Sequence, residues 1–523
     1  MTIQDFHPTN GTYYFEDPEI ANVVLKKLDV FSVLRAFPGV LFNISTLSWD
    51  TDYDYCDKHR EFIVHHPEVI FQEHNFVTNF WPTHKMRTMI IPKAGKDVSK
   101  RLPKPEPYSL SVPLDASVFV MHNLFFWFRQ VGKQFSCLSQ ASNHIAGHDK
   151  LYRKDMASQA LVDYAKAYKK KPQCFGFDRY FPKTFILKNK AQCESFFKHF
   201  LSEEYQKLKA ERNVVYFRKI GADVHQGAGV FPVNDNEEKY LRELYADGKE
   251  CGVVKKNNLI QLNIHNLLLV KGRKFGFRSF LLIASTNPFI AFYHDGYARL
   301  SLNAYDSQSN DTSTYVTNIN LNLQNSEYKD WTEEQIQEHT YWPLERFNDW
   351  INEAGIVNDP NWINNYLRPE FMKVKIHLVR MSQSGFFRKS SMYEIYGIDY
   401  VMDEDLKLWF IEANTMPLIN GFTKHSTELF NQMLIDTFDI VQGLIKSRMK
   451  RAIFYVNRLV REFGGDIPDL ATKQKEFANL TKNHFEPEFE PRPNNTFYKI
   501  VDENYEGVER YSGLIDPDCL EFK

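Results

Sequence analysis

Residues Tyr393 to Asn414 read YEIYGIDYVMDEDLKLWFIEAN, and the rest of the chain is best understood from this stretch. Two runs rich in Ile, Val, Tyr, Phe and Trp flank the cluster Asp403-Glu404-Asp405, the composition of an antiparallel hairpin. Side chains two apart on a strand share a face. Glu412 and Asn414 are therefore expected to point the same way, together with Leu406, Leu408 and Phe410. With an even turn at Glu404-Asp405, Asp399 lies opposite Phe410, on that same face and diagonal to Glu412. Asp399, Glu412 and Asn414 then place three oxygen donors on one wall. Hard divalent cations take such oxygens, and Mg²⁺ uses one or two carboxylates together with phosphate oxygens and water. The pattern suits a Mg-nucleotide site, and it equally suits a hairpin whose polar residues end at a solvated sheet edge. The remaining sequence has to decide.

At 523 residues the chain is too long for one typical core, so two or three domains are expected. An aromatic share of 15%, with 43 Phe, points to large cores rather than disorder. Lys plus Arg (64) nearly balance Asp plus Glu (66), so attraction to a charged partner has to come from local patches. No nucleic-acid partner is expected. No run approaches the roughly 18 apolar residues of a membrane helix, and the start MTIQDFHPTN lacks a basic stretch followed by an apolar one. Cys56, Cys137, Cys174, Cys193, Cys251 and Cys519 are scattered without CxxC spacing, which argues for reduced thiols and against a zinc cluster or a disulfide framework.

In chain order, residues 1–112 read as a mixed N-terminal domain with strand-like VFSVLRAF and FIVHH, closed by the Pro-rich KRLPKPEPYSLSVP. SVFVMHNLFFWFRQVGK is apolar nearly all round and reads as a buried helix. NHIAGHDKLYRKD leads into helical sequence to about Tyr168, and Lys169-Lys170-Lys171 follows. A further helix is expected from Lys190 to Arg212, then a strand from Val214 to Lys219 and the loop His225-Gln226-Gly227-Ala228-Gly229-Val230. A cation at a strand end before a loop with alternate glycines suits phosphates, since glycine lets backbone N–H groups approach oxygens. Strands follow through NNLIQLNI, HNLLLV and KGRKFGFRSFLLI, where Lys274 and Arg278 share a face. NPFIAFYHDGYARLSLNAY reads as a hairpin turning at His294-Asp295-Gly296. Residues 331 to about 385 look helical from the cap WTEEQ onward. A long helix or two from Ser426 to Phe463, with the basic Lys446 to Arg451, precedes a tail read as extended or partly ordered.

Taken together, NHIAGHDKLYRKD, YFPKT, the Lys219 to Gly229 loop, KFGFR, HDGYAR, YVTN and YGIDYVMDEDLKLWFIEAN resemble the tubulin-tyrosine-ligase-like family of ATP-grasp amino-acid ligases over about Gln140 to Phe422. The resemblance implies an α+β ATP-grasp architecture. Two lobes with antiparallel sheets (113–260 and 261–424) would clasp ATP between an N-terminal α/β domain (1–112) and a C-terminal helical extension (425–523). It implies Lys219 and Lys274 as nucleotide-phosphate contacts, with Arg218 as an alternative to Lys219. Gln226, Gly227 and Gly229 would lie in the phosphate-covering loop, and Gln261 and Leu262 at the adenine hinge. Thr317 and Asn318 would lie beside Arg278 and Arg299 near the terminal phosphate. Asp399, Glu412 and Asn414 match the family's Mg²⁺ ligands, and Lys154 a basic residue on the phosphate or acceptor side.

That chemistry suits these residue types. Amide formation from a carboxylate needs activation by ATP, and the protein has mainly to position groups and neutralise charge. The implied partners are ATP, Mg²⁺, a free amino acid (Glu or Gly) and the acidic tail of tubulin, in the cytoplasm and cytoskeleton, with the cilium as a candidate place. Two departures stand out: Gly276 where the family usually has an acidic residue, and Tyr315 where it usually has His. They motivate two alternatives, a catalytically impaired microtubule-binding scaffold and a ligase with a non-tubulin acceptor. Lys169 to Lys171 and Lys446 to Arg451 are the basic segments expected to meet a polyanionic tail.

Overall fold

The computed structural model describes residues 13–35, 50–71, 118–119, 139, 141–143, 145, 147–175, 177–212, 214–220, 229–306, 328, 330–386, 388, 392–415, 417, 424–480 and 491–521. Helices α1 (Pro18–Arg35) and α2 (Asp50–His65) take up VFSVLR and FIVH, both expected as strand. Short apolar runs cannot by themselves separate a strand from a buried helix. Here Ala21, Val24, Leu25 and Leu28 recur at helical spacing and are buried together. The described part of 1–112 contains helices and no strand, which corrects the α/β character expected there. The helix read over SVFVMHNLFFWFRQVGK lies outside the described residues, except that Val118 and Phe119 form a strand. Helix α3 (Lys154–Ala167) is as expected.

The strands are β1 (Val118–Phe119), β2 (Ala141–Asn143), β3 (Thr184–Ile186), β4 (Tyr216–Ile220), β5 (Val230–Pro232), β6 (Asn258–Leu262), β7 (Leu269–Val270), β8 (Arg273–Thr286), β9 (Phe289–Leu300), β10 (Tyr341–Trp342), β11 (Met392–Met402), β12 (Leu408–Thr415) and β13 (Tyr498–Asp502). They build two sheets. The smaller is antiparallel, β3-β6-β4-β5. Helices α4 (Lys190–Phe200), α5 (Glu203–Glu211) and α6 (Asp235–Tyr245) accompany it, each started by a side chain, Asn189, Ser202 or Asn234, that accepts a first-turn backbone N–H. Phe196, Phe200, Tyr205 and Leu241 from these helices pack with Phe185, Tyr216 and Ile260 of the sheet.

Among the described residues the larger sheet has nine strands in the order β1-β2-β11-β8-β9-β10, with β12 beside β11, β13 beside β9 and β7 beside β8. Its two faces carry separate cores. Phe275, Phe277 and Leu281 of β8 and Tyr396, Ile398 and Tyr400 of β11 share one core with α8 and α9, described next. After α7 (Glu333–Thr340), which opens with the Thr332 and Gln335 capping box, α8 (Leu344–Glu353) and α9 (Arg368–Ser382) supply Phe347, Phe371 and Val374 to that core. On the other face Phe280, Leu282, Tyr393 and Ile395 meet α1, α2, the 40-residue α10 (Lys424–Phe463) and α11 (Leu470–Leu480).

β8 and β9 form one long hairpin that turns between Thr286 and Phe289, not at His294-Asp295-Gly296. The latter residues are a bulge within β9: Tyr297 pairs with Arg278 and His294 with Phe280, so Asp295 and Gly296 together stand opposite Ser279. Gly296 has φ +70°, and a Cβ there would lie 1.9 Å from the Arg278 carbonyl oxygen. The bulge reverses which side chains of β9 face the core. Phe289, Ala291 and Tyr293 before it share a core with Ala298 and Leu300 after it.

Two further expectations are corrected. The described parts of the tail are structured: α11 and β13 form, and β13 pairs with β9. Cys174 is bonded to Cys519 and Cys193 to Cys251, so these four are not the reduced thiols expected; the partners lie 345 and 58 residues apart, and no local spacing marks them.

Candidate active site

Pairing of Met402 with Leu408 leaves residues 403–407 as the hairpin turn, longer than Glu404-Asp405 alone. Asp403 organises it. Its carboxylate accepts the Lys407 N–H at 2.8 Å and the Trp409 indole N–H at 2.8 Å, and Leu406 adopts φ +61°. With an odd number of turn residues, unbroken pairing would set Asp399 opposite Ile411 and on the face away from Glu412. A bulge prevents this. Tyr400 pairs with Phe410 but Asp399 pairs with Glu412, leaving Ile411 as the extra residue. Two features of the sequence reading are thereby corrected: Asp399 is not opposite Phe410, and Leu408 and Phe410 do not share the face of Glu412. They belong with Ala413 to the core row. Asp399, Glu412 and Asn414 nevertheless converge, with the Asn414 amide nitrogen 3.3 Å from Asp399 and 3.4 Å from Glu412.

Cations surround this group. Arg278, directly opposite Asp399 on β8, donates Nε and Nη2 to the two carboxylate oxygens at 2.7 and 2.6 Å, the bidentate geometry in which Arg excels. This pairing holds the guanidinium proton more tightly still, despite burial. Arg299 reaches the same face because of the β9 bulge, and its Nη2 stands 3.9 Å from Asp399 Oδ2. Lys154, at the start of α3, brings Nζ to 3.2 Å from Glu412 Oε2. Burial alone would raise the Glu412 pKa, but Lys154, Lys219 and Arg278 outweigh it and hold the carboxyl well below the usual range.

Lys219 and Lys274 differ from these. Neither side chain has a hydrogen bond or ion pair among the described residues. Burial, with repulsion from Lys154 acting against attraction to Glu412, brings Lys219 down to about 8. Burial and repulsion from Lys219 bring Lys274 to about 8. The strand geometry also separates Lys219 from its alternative. Arg218 points the other way, donating Nε to Glu237 at 2.7 Å and stacking on Phe231 and Tyr240.

Lys154 and Lys219 line a cleft that is open to solvent. Its walls are Thr184, Leu259 and Gln261 from the small sheet, Phe410 to Ala413 of β12, and Tyr152, Ala157, Ser158 and Leu161 at α3. Gln261 is thus on the wall, its amide donating to Thr184 Oγ1 at 3.1 Å. Leu262 is placed beside it, but its backbone N–H already donates to the Lys183 carbonyl. Gly229 is buried at the start of β5, while Gln226, Gly227, Thr317, Asn318 and Tyr315 lie outside the described residues. Tyr152 and Thr184 lie in the quoted motifs NHIAGHDKLYRKD and YFPKT without an assigned role, and Ser158 escaped the sequence reading. Ser158 carried a usable signal, since it lies one helical turn after Lys154. Of the basic segments, Lys169 and Lys170 are exposed, whereas Arg448, Lys450 and Arg451 are buried in α10 and do not offer a surface patch.

The residues fit a Mg²⁺-polyphosphate group. Two carboxylates and an amide supply hard donors, the amide being free to turn its oxygen inward. Among the described residues Lys219 and Lys274 form no ion pair, and the buried Arg299 Nε has no hydrogen-bond partner.

The model of the tubulin-tyrosine ligase family matches residues 133–450, more than half of the chain. The chain belongs to the tubulin-tyrosine ligase family. Within it, the chain is 27% identical over 329 residues to the inactive polyglycylase TTLL10 of Homo sapiens, covering 60% of this chain and 46% of that one. It is 28% identical over 237 residues to the tubulin monoglycylase TTLL3 of Homo sapiens (45% and 29%), and 25% identical over 316 residues to a probable tubulin polyglutamylase, ttll-9, of Caenorhabditis elegans (58% and 68%). The match covers about half or less of the two human relatives' length. Gly276, where the tubulin-tyrosine-ligase-like pattern usually has an acid, lies between Lys274 and Arg278 on the site face of β8. A Cβ there would meet the Tyr400 carbonyl oxygen at 2.7 Å, so a side chain at this position requires the backbone of β11 to shift.

Proposed function

We propose that this chain is an ATP- and Mg²⁺-dependent ligase that forms an amide bond between an amino acid, glycine or glutamate, and a carboxylate of a tubulin tail. The observation that carries the reading is the convergence of Asp399, Glu412 and Asn414 within a ring of Lys154, Arg278 and Arg299, beside Lys219 and Lys274, which form no ion pair among the described residues. The names of the relatives, glycylases and glutamylases, support the reaction class.

When bound, ATP supplies the phosphoryl group that activates the acceptor carboxylate as an acyl phosphate, with Mg²⁺ spreading the charge. The chain's own residues hold and neutralise. Asp399, Glu412 and Asn414 would carry the metal, and Lys219 and Lys274 the phosphates, under the loop containing Gln226, Gly227 and Gly229. Arg278 and Arg299, with Thr317 and Asn318, would flank the transferring group. Gln261 and Leu262 would border the adenine, and Lys154 would orient Glu412 and the acceptor. No side-chain nucleophile is required, because the incoming amine attacks. Residues 113–260 and 261–424 are assigned as the two ATP-grasp lobes, 1–112 and 425–523 as the flanking parts, and the cytoskeleton as the place of action.

The test is mass spectrometry of tubulin incubated with the protein, ATP, Mg²⁺ and a mixture of amino acids. Added glycine or glutamate residues are expected, and Glu412→Gln should abolish them. Gly276 favours a second reading, a microtubule-binding protein without ligase activity. Unmodified tubulin together with no Mg²⁺-dependent ATP binding would establish it.

A further inference from the structure

Lys375, in the middle of α9, is completely buried on the face of the large sheet opposite the candidate site. Removing a lysine amine from water is costly unless polar partners meet it, and here they are specific. Nζ donates to Ser279 Oγ and, at 2.9 Å, to Tyr400 Oη, and the faces of Tyr293, Tyr400 and Phe371 lie 4.8 to 5.3 Å away. It forms no ion pair among the described residues. Burial draws its pKa well below that of a free lysine, partly offset by Asp295. Amine and ammonium alike can donate to both hydroxyls.

The positions of those hydroxyls are informative. Ser279 follows Arg278 and is the residue that faces the two-residue β9 bulge. Tyr400 follows Asp399 and sits at the register break against β12. Arg278 and Asp399 pair across β8 and β11 on the face where Asp399 meets Asn414. Ser279 and Tyr400, each one residue further along, point to the other face, where a single amine joins them. Both bulges are what turn Arg299, Glu412 and Asn414 toward Asp399.

We propose that Lys375 is a positioning residue for the active site: it ties β8 to β11 beneath the Arg278–Asp399 pair and fixes both bulges in the register that assembles the metal-binding group. The inference rests on the ligase reading for its functional consequence, but its structural content can be tested apart from it. Lys375→Met keeps the length and apolar contacts of the side chain while removing both hydrogen bonds. Ser279→Ala and Tyr400→Phe remove one each without changing the lysine, and they cover the case in which Lys375→Met fails to fold.

Two measurements decide it. Hydrogen–deuterium exchange should become at least tenfold faster in peptides covering 275–282 and 396–402 in all three variants, with the small sheet unchanged. Binding of Mn²⁺ in the presence of a non-hydrolysable ATP analogue, followed by electron paramagnetic resonance, should weaken about tenfold, while metal-free binding of the analogue changes less than twofold. Asp399→Asn should weaken Mn²⁺ binding similarly, and Lys375→Met should add little on top of it. Unchanged exchange at both segments overturns the proposal, as does unchanged Mn²⁺ affinity in the folded variants. If the wild type binds no Mn²⁺, the ligase reading fails, and the exchange data alone decide whether Lys375 braces the two strands.

Discussion

The two sheets that border the cleft are built to different rules. Every ladder of the four-stranded sheet keeps its register from end to end, and each strand alternates a core residue with a cleft or surface residue. The ladders of the nine-stranded sheet break register at four places, two of which, in β9 and β12, lie beside the residues that make the site. The contrast extends to charge. On the large sheet Arg278 and Asp399 already satisfy one another, and Lys154 reaches across from α3 to Glu412, whereas the small sheet contributes Lys219, which like Lys274 at the start of β8 forms no ion pair among the described residues. The large sheet brings an arrangement that a metal can enter. The small sheet adds a cation to the cleft wall.

The largest effect that can break this contrast is on the large sheet. Glu412→Gln should lower ligation by about a hundredfold or more, because a carboxylate at the metal-binding group is replaced by a neutral amide; single-turnover product formation measures it. On the other side, Lys219→Met should weaken nucleotide binding by roughly tenfold while leaving the ligand-free protein as stable or slightly more so, since an unpaired buried charge is removed. Calorimetric titration and denaturant unfolding read the two quantities. Arg218→Met, one residue away, is expected to do the reverse: nucleotide affinity within twofold, stability down by about 2 kcal/mol as Glu237 loses its partner.

The bulge itself can be tested by comparing two glycines. Gly296→Ala forces a Cβ against the Arg278 backbone and should cost about 3 kcal/mol, seen as a lowered midpoint in thermal unfolding. Gly272→Ala, also at positive φ but with nothing within 4 Å, should cost only about 1 kcal/mol. Equal losses would show that the close approach at the bulge has no weight.

The smallest effect is one of pH. Lys219 and Lys274, brought to about 8 in the folded protein, are charged below that value and neutral above it. Nucleotide affinity should fall severalfold as pH rises from 7 to about 9.5. Unfolded lysines hold their protons to about 10.4, so over the same window the unfolded chain binds more protons and the ligand-free fold should gain stability as pH rises. Equilibrium unfolding at three pH values checks the sign, and Lys219→Met should flatten both trends.

Much of this arrangement was legible in the residues. Alternation alone places Lys274 with Arg278 and Glu412 with Asn414, but it leaves Arg218 open as the alternative to Lys219. The route to Asp399 was not legible. An even turn was expected to bring it to the Glu412 face; the turn is odd, and Ile411 restores the outcome. A bulge is one unpaired residue with no composition of its own, which also explains why His294-Asp295-Gly296 read as a turn: the glycine is needed for positive φ in either structure. The helices at Pro18–Arg35 and Asp50–His65 were misread because Val, Phe and Ile in short runs suit both a buried helix and a strand. The cysteine pairs depend on contacts across the fold that spacing cannot show. Lys375 looked like any lysine in an amphipathic helix until the sheet lay on it.

The turn of the β11–β12 hairpin is fastened to the segment that leaves the small sheet. Leu268 N–H donates to the Met402 carbonyl, Glu404 N–H donates to the Asn266 carbonyl, and Leu267 bridges to Asp403. Residues 263–268 therefore work as a short lever arm with one end in β6 and the other clamped to the turn. Six residues thus link β6 to the turn between the strands that carry Asp399 and Glu412.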